Sequence, residues 1–438
     1  MVKTRVIPVD RLGRPSELSP LASSKDATFI SDNDCIVYGI HRKEIEGEAK
    51  GKGVTFFELA GPKRKIYFNP KKTVCGIVTC GGLCPGINDV IRAIVFELFE
   101  QYGVRKVLGY RYGYLGLSRN APLEPISFDP DMVDNIHHNG GTILSSSRGA
   151  QDADDMVDTL VRDKVNILFA IGGDGTMKGA RNIIECIKKR KQKTSVIAIP
   201  KTIDNDIMYV KQSFGFETAV EASMGVISSA HIEAKGAPNG IGLVKLMGRH
   251  SGYIASVATL ANSDVNFCLI PELPFKLYGR GGFLEVLKKR LKEKRHVVIV
   301  VAEGAGQDLI KDGPGGIKKD SSGNTKLKDI GIFLKGEIVK YFKEIDTEVN
   351  LKYIDPSYII RSVPANAMDS AYCLALGQNA VHAGMSGKTN TVIGSVNRHF
   401  IHLPIPMAIE KRNRVNPKGR LWKTVMEATL QPTSIFKK

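Results

Sequence analysis

From residue 74 onward, short apolar runs recur at 74–78, 167–171, 196–199, 241–244, 265–270 and 297–301, each rich in β-branched residues. Most lead into glycine-rich or polar turns and then into amphipathic stretches such as 90–100 and 176–188. Strands buried along their length with helices between them predict parallel sheets covered on both faces. Ligands of such sheets bind beyond the carboxyl ends of the strands, where the loops converge. The first 70 residues read differently. Pro, Ser, Asp and Lys interrupt the apolar pattern, 44–53 is charged and glycine-rich, and 65–68 is one plausible short strand. This predicts a partly ordered extension that packs on the main body or reaches from it. The Gly-, Lys- and Ser-rich stretch 307–328 reads as a surface loop.

A chain of 438 residues, 42% hydrophobic and 24% charged, suffices for two or three domains with ordinary cores. No run approaches the ~18 apolar residues of a membrane span, and the N-terminus lacks the apolar centre of a signal peptide, so no membrane partner and a cytoplasmic location are expected. The net charge of +17 raises the question of nucleic acid. The densest run, Lys188-Lys189-Arg190-Lys191, has no interleaved aromatic residue, which favours solvated helix ends and no nucleic-acid partner. Seven irregularly spaced cysteines fit reduced thiols better than a disulfide framework. The Cys80/Cys84 pair does not have zinc-knuckle spacing.

Three motifs carry chemistry. Thr79-Cys80-Gly81-Gly82-Leu83-Cys84-Pro85-Gly86-Ile87-Asn88 follows the first strand. Its glycines let backbone amides approach a phosphate beside a helix N-terminus, though a ligand-free tight turn explains it equally well. Ile171-Gly172-Gly173-Asp174-Gly175-Thr176 also joins a strand to a helix. There Asp174 is suited to hold Mg²⁺ and Thr176 to cap the helix while bonding phosphate. In Pro200-Lys201-Thr202-Ile203-Asp204-Asn205-Asp206, two carboxylates two apart in an extended segment face one side, with Lys201 beside them. A base for a hydroxyl and a cation for a developing phosphate charge is the equipment of phosphoryl transfer.

Together, and in this order, these motifs resemble the phosphofructokinase family from about residue 72 to about 402. Gly113-Tyr114-Leu115-Gly116-Leu117, Gly141-Thr142-Ile143-Leu144-Ser145-Ser146-Ser147-Arg148, Lys245-Leu246-Met247-Gly248-Arg249, Ala302-Glu303-Gly304 and Ile360-Arg361 add to the match. The Cys-Gly-Gly-Leu-Cys-Pro-Gly and Pro-Lys-Thr-Ile-Asp-Asn-Asp forms look like the plant and trypanosomatid branch, which also carries an N-terminal extension.

The resemblance implies an α/β protein of two Rossmann-like three-layer domains with mostly parallel sheets, the active site in the cleft between them. It divides the chain into an extension (1–70), a nucleotide domain (71–215, with 360–405) and a sugar-phosphate domain (216–359, with 406–438). The implied reaction is phosphorylation of fructose 6-phosphate by ATP with Mg²⁺, in a homotetramer under allosteric control. By similarity, Asp204 takes the proton of the sugar 1-hydroxyl, and Asp206 supports both it and the metal. Asp174 holds Mg²⁺, and Gly81, Arg148, Gly173, Gly175, Thr176 and Lys178 line the nucleotide. Arg148, Arg249, Thr202 and Lys201 serve the phosphoryl group in transit. Met247, Gly248, Arg249, Glu303, Tyr358 and Arg361 bind the sugar phosphate.

The chain departs from the bacterial pattern at Arg111, Lys201, Gly240, Lys352 and Tyr358, so neither sugar-phosphate binding nor effector responses transfer from the bacterial enzymes. Pyrophosphate-using members usually carry Asp at the place of Gly175 together with a lysine like Lys201. The extra carboxylate crowds the nucleotide α-phosphate, so Gly175 favours ATP, with pyrophosphate the alternative. A Gly-Gly-Asp-Gly kinase of NAD or lipid lacks the Lys-Leu-Met-Gly-Arg and Lys-Thr-Ile-Asp-Asn-Asp pair. A non-catalytic subunit would have lost Asp174, Asp204 or Arg249.

Overall fold

The computed structural model describes residues 4–51, 53–311 and 325–437; of the stretch read as a surface loop, 312–324 lies outside the described residues. The chain forms two compact units. One comprises Met1–Thr202, Ile207–Gly215 and Ser362–Arg412, the other Ile203–Asp206, Phe216–Arg361 and Asn413–Lys438.

The first unit is built on a seven-stranded sheet. Its spatial order is His399–Pro404, Thr391–Val396, Ser195–Pro200, Ile167–Gly172, Val74–Thr79, Lys106–Tyr110, Ile126–Phe128. The five inner strands are parallel and the two edge strands antiparallel. Ile167–Gly172 and Ser195–Pro200 are buried at every residue because helices cover both faces. Leu168, Ala170, Val196 and Ala198 pack with Met156, Leu160, Ile183 and Ile187 of helices Ala153–Arg162 and Asp174–Lys189. On the opposite face, Gly384 of helix Ala367–Met385 lies so close to Ile167 that a Cβ would stand 2.7 Å from its side chain.

The expected strands all form, most of them a residue or two longer than their apolar runs; the run at 265–270 narrows to Phe267–Leu269. After residue 74, five further strands among the described residues were not apparent from the pattern. Lys106–Tyr110 is interrupted by Gly109, where a Cβ would come 2.4 Å from the Phe128 ring. Ile126–Phe128 is very short, Asn350–Ile354 is half exposed, and Thr391–Val396 and His399–Pro404 form an edge hairpin containing two histidines. The helix expected at 90–100 begins at Ile87, after the left-handed Gly86 (φ +92°), and passes at Glu97 into a π-helical turn, Glu97–Gln101.

The N-terminal segment contributes a three-stranded sheet (Thr4–Val6, Val54–Glu58, Cys35–Val37) and helix Arg42–Lys50. Ile7 and Phe57 join the core that contains Val78 and Ile401. The strand expected at 65–68 is only Lys65–Ile66, paired with Glu17–Leu18. It stops there because the amides of Tyr67 and Phe68 both turn to the Met385 carbonyl (2.8 and 3.3 Å).

The second unit holds a four-stranded, wholly parallel sheet: Phe267–Leu269, His296–Ala302, Gly240–Leu246, Asn350–Ile354. At Gly240, where the bacterial pattern has an arginine, a Cβ would meet the Ala234 carbonyl at 1.9 Å, so this backbone accepts no side chain.

Glu97 is buried in the first unit, its carboxylate 3.7 Å from Nδ1 of His382. Burial raises its pKa to about 7 against a hydrogen bond from Gln378, and burial lowers that of His382 to about 3. A raised folded-state pKa gives stability present below the unfolded value and lost as pH rises through the folded one. Glu97→Gln is therefore expected to gain stability over the parent progressively from about pH 4.5 to about pH 7. Urea unfolding midpoints at pH 4.5, 6 and 7.5 check this; a constant difference would contradict it.

Candidate active site

In the first unit, strand Val74–Thr79 delivers the first glycine loop to the N-terminus of helix Ile87–Phe96. A Cβ on Gly86 would stand 2.7 Å from Cys373 Sγ, so packing and a positive φ both demand glycine there. The loop is laced to the serine segment. Thr79 Oγ1 donates to the Ser145 carbonyl (2.6 Å), the Gly81 amide to the Ser147 carbonyl (3.1 Å), and Ser146 Oγ to the Gly81 carbonyl (2.6 Å). These bonds set Arg148, which is exposed, immediately after a segment fixed to Gly81.

Strand Ile167–Gly172 delivers the second loop to helix Asp174–Lys189. The residue at the helix start is Gly173, which brings no capping side chain and leaves first-turn amides for an incoming anion. Thr176 is not the cap. It is the third helical residue, buried, its Oγ1 packed over Gly172, and its carbonyl accepts from Tyr114 OH (2.7 Å). Asp174 is a quarter exposed, with Lys178 Nζ at 2.8 Å and Arg412 Nη2 at 3.3 Å. A Cβ built on Gly175 meets nothing within 4 Å.

Lys201 joins these two loops. Its Nζ donates to the Gly82 carbonyl (2.5 Å) and its amide to the Gly172 carbonyl (3.0 Å), while the residue is only 6% exposed. The Thr202 carbonyl accepts from Ser213 Oγ (2.7 Å). The chain passes from one unit to the other between Thr202 and Ile203.

The Asp204–Asp206 segment is a turn, not extended. Asn205 takes φ +51°, so alternation does not decide which way the two carboxylates point. Within the second unit, the Arg249 amide donates to Asp204 Oδ2 at 3.4 Å, Ser251 Oγ to the Asp204 carbonyl (2.8 Å), and the Asn413 amide to the Asp206 carbonyl (2.8 Å). Asp206 is buried.

Strands Gly240–Leu246 and His296–Ala302 end side by side, in register from Gly240↔His296 to Leu246↔Ala302. This places Met247-Gly248-Arg249 next to Glu303-Gly304. The Glu303 amide donates to the Leu246 carbonyl (2.9 Å) and the Gly304 amide to the Gly248 carbonyl (3.1 Å). Gly248 sits at φ +132°. Burial pushes the Glu303 carboxyl upward, opposed by the charges of Arg249, Lys245 and Arg361. The Arg361 guanidinium lies 4.8 Å from the Tyr358 ring centroid, and Tyr358 is 75% exposed.

Sequence reasoning missed several groups. Arg412 reaches Asp174 across 238 residues with no local motif to announce it. Glu272 accepts from the amides of Gly252 (3.0 Å) and Val415 (2.8 Å), bracing the turn after Arg249. Asp329 and Asp355 clamp Lys245 at 2.6 and 2.7 Å. The cysteines are all free, and burial pushes Cys80 up to about 12, so it stays a thiol within its loop.

Among the described residues, no group of three or more His, Cys, Asp or Glu side chains could cage a metal ion. A partly exposed carboxylate at a glycine-bounded helix start suits instead a Mg²⁺ that arrives with phosphates, because such an ion keeps few protein ligands.

Replacing the buried ammonium in Lys201→Met leaves the Gly82 carbonyl without this donor. A loss of about 1–3 kcal/mol in urea unfolding of the first unit is expected. A variant as stable as the parent would show that Lys201 does not hold the loops together.

The phosphofructokinase family model matches residues 74–384. An ATP-dependent 6-phosphofructokinase of Borreliella burgdorferi is 49% identical over 98% of this chain and 97% of its own length. ATP-dependent 6-phosphofructokinase 7 of Arabidopsis thaliana is 47% identical over 96% of this chain and 85% of its own. An ATP-dependent 6-phosphofructokinase of Trypanosoma brucei brucei is 42% identical over 96% and 87%. The crystal structure of a pyrophosphate-dependent phosphofructokinase from Marinobacter aquaeolei shares the fold, with TM-score 0.65 and 17% identity over 84% of this chain and 92% of that one.

Proposed function

This chain belongs to the phosphofructokinase family, and from that premise we propose that it transfers the terminal phosphoryl group of ATP to the 1-hydroxyl of fructose 6-phosphate. The products are fructose 1,6-bisphosphate and ADP. The observation that carries the reading is the join at Lys201. One buried cation ties both glycine loops together, and the next residues of the chain lead to Asp204.

The nucleotide is assigned to the first unit. Amides at the start of helix Asp174–Lys189 and the glycine backbone at Gly81, Gly173 and Gly175 approach its phosphates, with Thr176 beneath them and Arg148 and Lys178 as cations. Asp174 would hold the nucleotide's Mg²⁺, which supplies charge neutralisation to the phosphates when bound. Arg412, beside Asp174, joins this set.

The sugar phosphate is assigned to the second unit: Met247, Gly248, Arg249, Glu303, Tyr358 and Arg361. Its 1-oxygen attacks the γ-phosphorus, the bond to the β,γ-bridging oxygen breaks with ADP leaving, and Asp204 takes the hydroxyl proton. The Arg249 amide orients the Asp204 carboxylate, and Asp206 holds the turn through Asn413. Thr202, Lys201 and Arg249 offset charge on the moving group. We further propose a homotetramer under allosteric control in the cytoplasm, the usual state in the family, although relatives include chloroplastic enzymes.

Purified protein with fructose 6-phosphate and Mg²⁺ is expected to form fructose 1,6-bisphosphate with ATP and not with pyrophosphate; the reverse donor preference would overturn the ATP reading. Asp204→Asn should lower kcat by about 10²–10⁴ while KM for fructose 6-phosphate stays near the parent value. Near-normal turnover would remove the base role. Because the Cβ direction at Gly175 is open, Gly175→Asp should fold normally yet raise KM for ATP sharply. Unchanged ATP kinetics would undo the steric argument.

A further inference from the structure

A cavity of about 470 Å³ opens in the first unit, and none of its lining residues belongs to the loops described above. It is walled by the N-terminal segment and by Ser386 and Lys388. Six of its side chains are cationic: Arg11, Arg14, Lys63, Arg64, Lys65 and Lys388; Asp32 is the one carboxylate that lines it.

Half of those cations are already answered. Arg11, Lys63 and Lys388 share Asp32 (2.5, 3.1 and 3.4 Å) and the buried Glu58 behind it (3.4, 3.2 and 2.5 Å). Burial works to raise Glu58, but His402 and Lys388 hold its carboxyl at about 2, so it is ionised and its oxygens are engaged. The other three are not answered: among the described residues, Arg14, Arg64 and Lys65 make no ion pair. Uncompensated cations lining one cavity repel one another, a cost that a bound anion removes. Two guanidinium forks match a phosphate bidentately, where a lone carboxylate would leave a fork unused. Pro15, Phe29 and Ile30 give the same cavity an apolar side, and its volume suits a small organic molecule.

We propose that this cavity binds a small phosphorylated metabolite, its phosphate on Arg14, Arg64 and Lys65 and its remainder against Phe29 and Ile30. The site is separate from donor and acceptor. The test is calorimetric titration of the full chain with inorganic phosphate and with AMP. Saturating fructose 6-phosphate and a non-hydrolysable ATP analogue are present throughout, so the proposed catalytic groups are already occupied. The parent is expected to bind at least one probe, and the double variant Arg14→Ala/Arg64→Ala to bind it tenfold or more weakly. Both side chains are exposed, and the variant should form fructose 1,6-bisphosphate at the parent's rate without added probe. Absence of binding to either probe, or equal binding by parent and variant, overturns the proposal. If the variant fails to fold, Lys65→Glu titrated the same way decides between these outcomes.

Discussion

A buried ammonium is costly unless its protons are used, and Lys201 uses them to tie one glycine loop to another. The side chain holds Gly82 and the backbone holds Gly172, so two turns that belong to different strands and helices are registered against each other. Everything proposed for the nucleotide depends on this. Amides bind a phosphate well only when they are fixed before it arrives, and the loops have few side chains of their own to fix them. The serine segment Ser145-Ser146-Ser147 extends the lacing, bonding to the first loop at three points.

The second unit solves the same problem without a lysine bridge. Gly240–Leu246 and His296–Ala302 run parallel and in register, so their carboxyl ends expose two loops side by side, and backbone hydrogen bonds join Gly248 to Gly304 and Leu246 to Glu303. The approach is so close that a Cβ on Gly304 would lie 2.0 Å from the Arg249 carbonyl. Glu303 then sits among Arg249, Lys245 and Arg361, whose charges oppose the effect of its burial. The neighbouring cation Lys245 is itself committed to Asp329 and Asp355.

The charge of the chain is distributed with more purpose than its total conveys. A surplus of +17 reads as solvated lysine, and much of it is. Yet the N-terminal segment places five cations around one cavity, Lys388 adds a sixth, and two carboxylates answer three of the six. The same ion cluster anchors that segment: Glu58 reaches Lys388, and the Asp10 carbonyl accepts from the Thr389 amide.

What the sequence by itself determined is what neighbouring residues can encode. Runs of β-branched residues specified three inner strands of the large sheet and three of the four strands of the small one, because burial on both faces leaves no alternation to blur them. Glycines at 81, 86, 172, 173 and 248 marked the turns at the strand ends, because few other residues fit such turns. The order of the three motifs was enough to name the family. Tertiary structure decided the rest, since each remaining feature needs a partner far along the chain. Lys106–Tyr110, Ile126–Phe128, Asn350–Ile354 and the hairpin of Thr391–Val396 and His399–Pro404 have no distinctive run and exist only by pairing. The Asp204–Asp206 segment bends at Asn205 where local pattern suggested extension. Thr176 goes inward beneath Gly172 and leaves the helix start to glycine, because Tyr114 and the packed loop surround it. Arg412 meets Asp174 from 238 residues away, a contact no spacing rule could foresee, because only the folded backbone brings the two together.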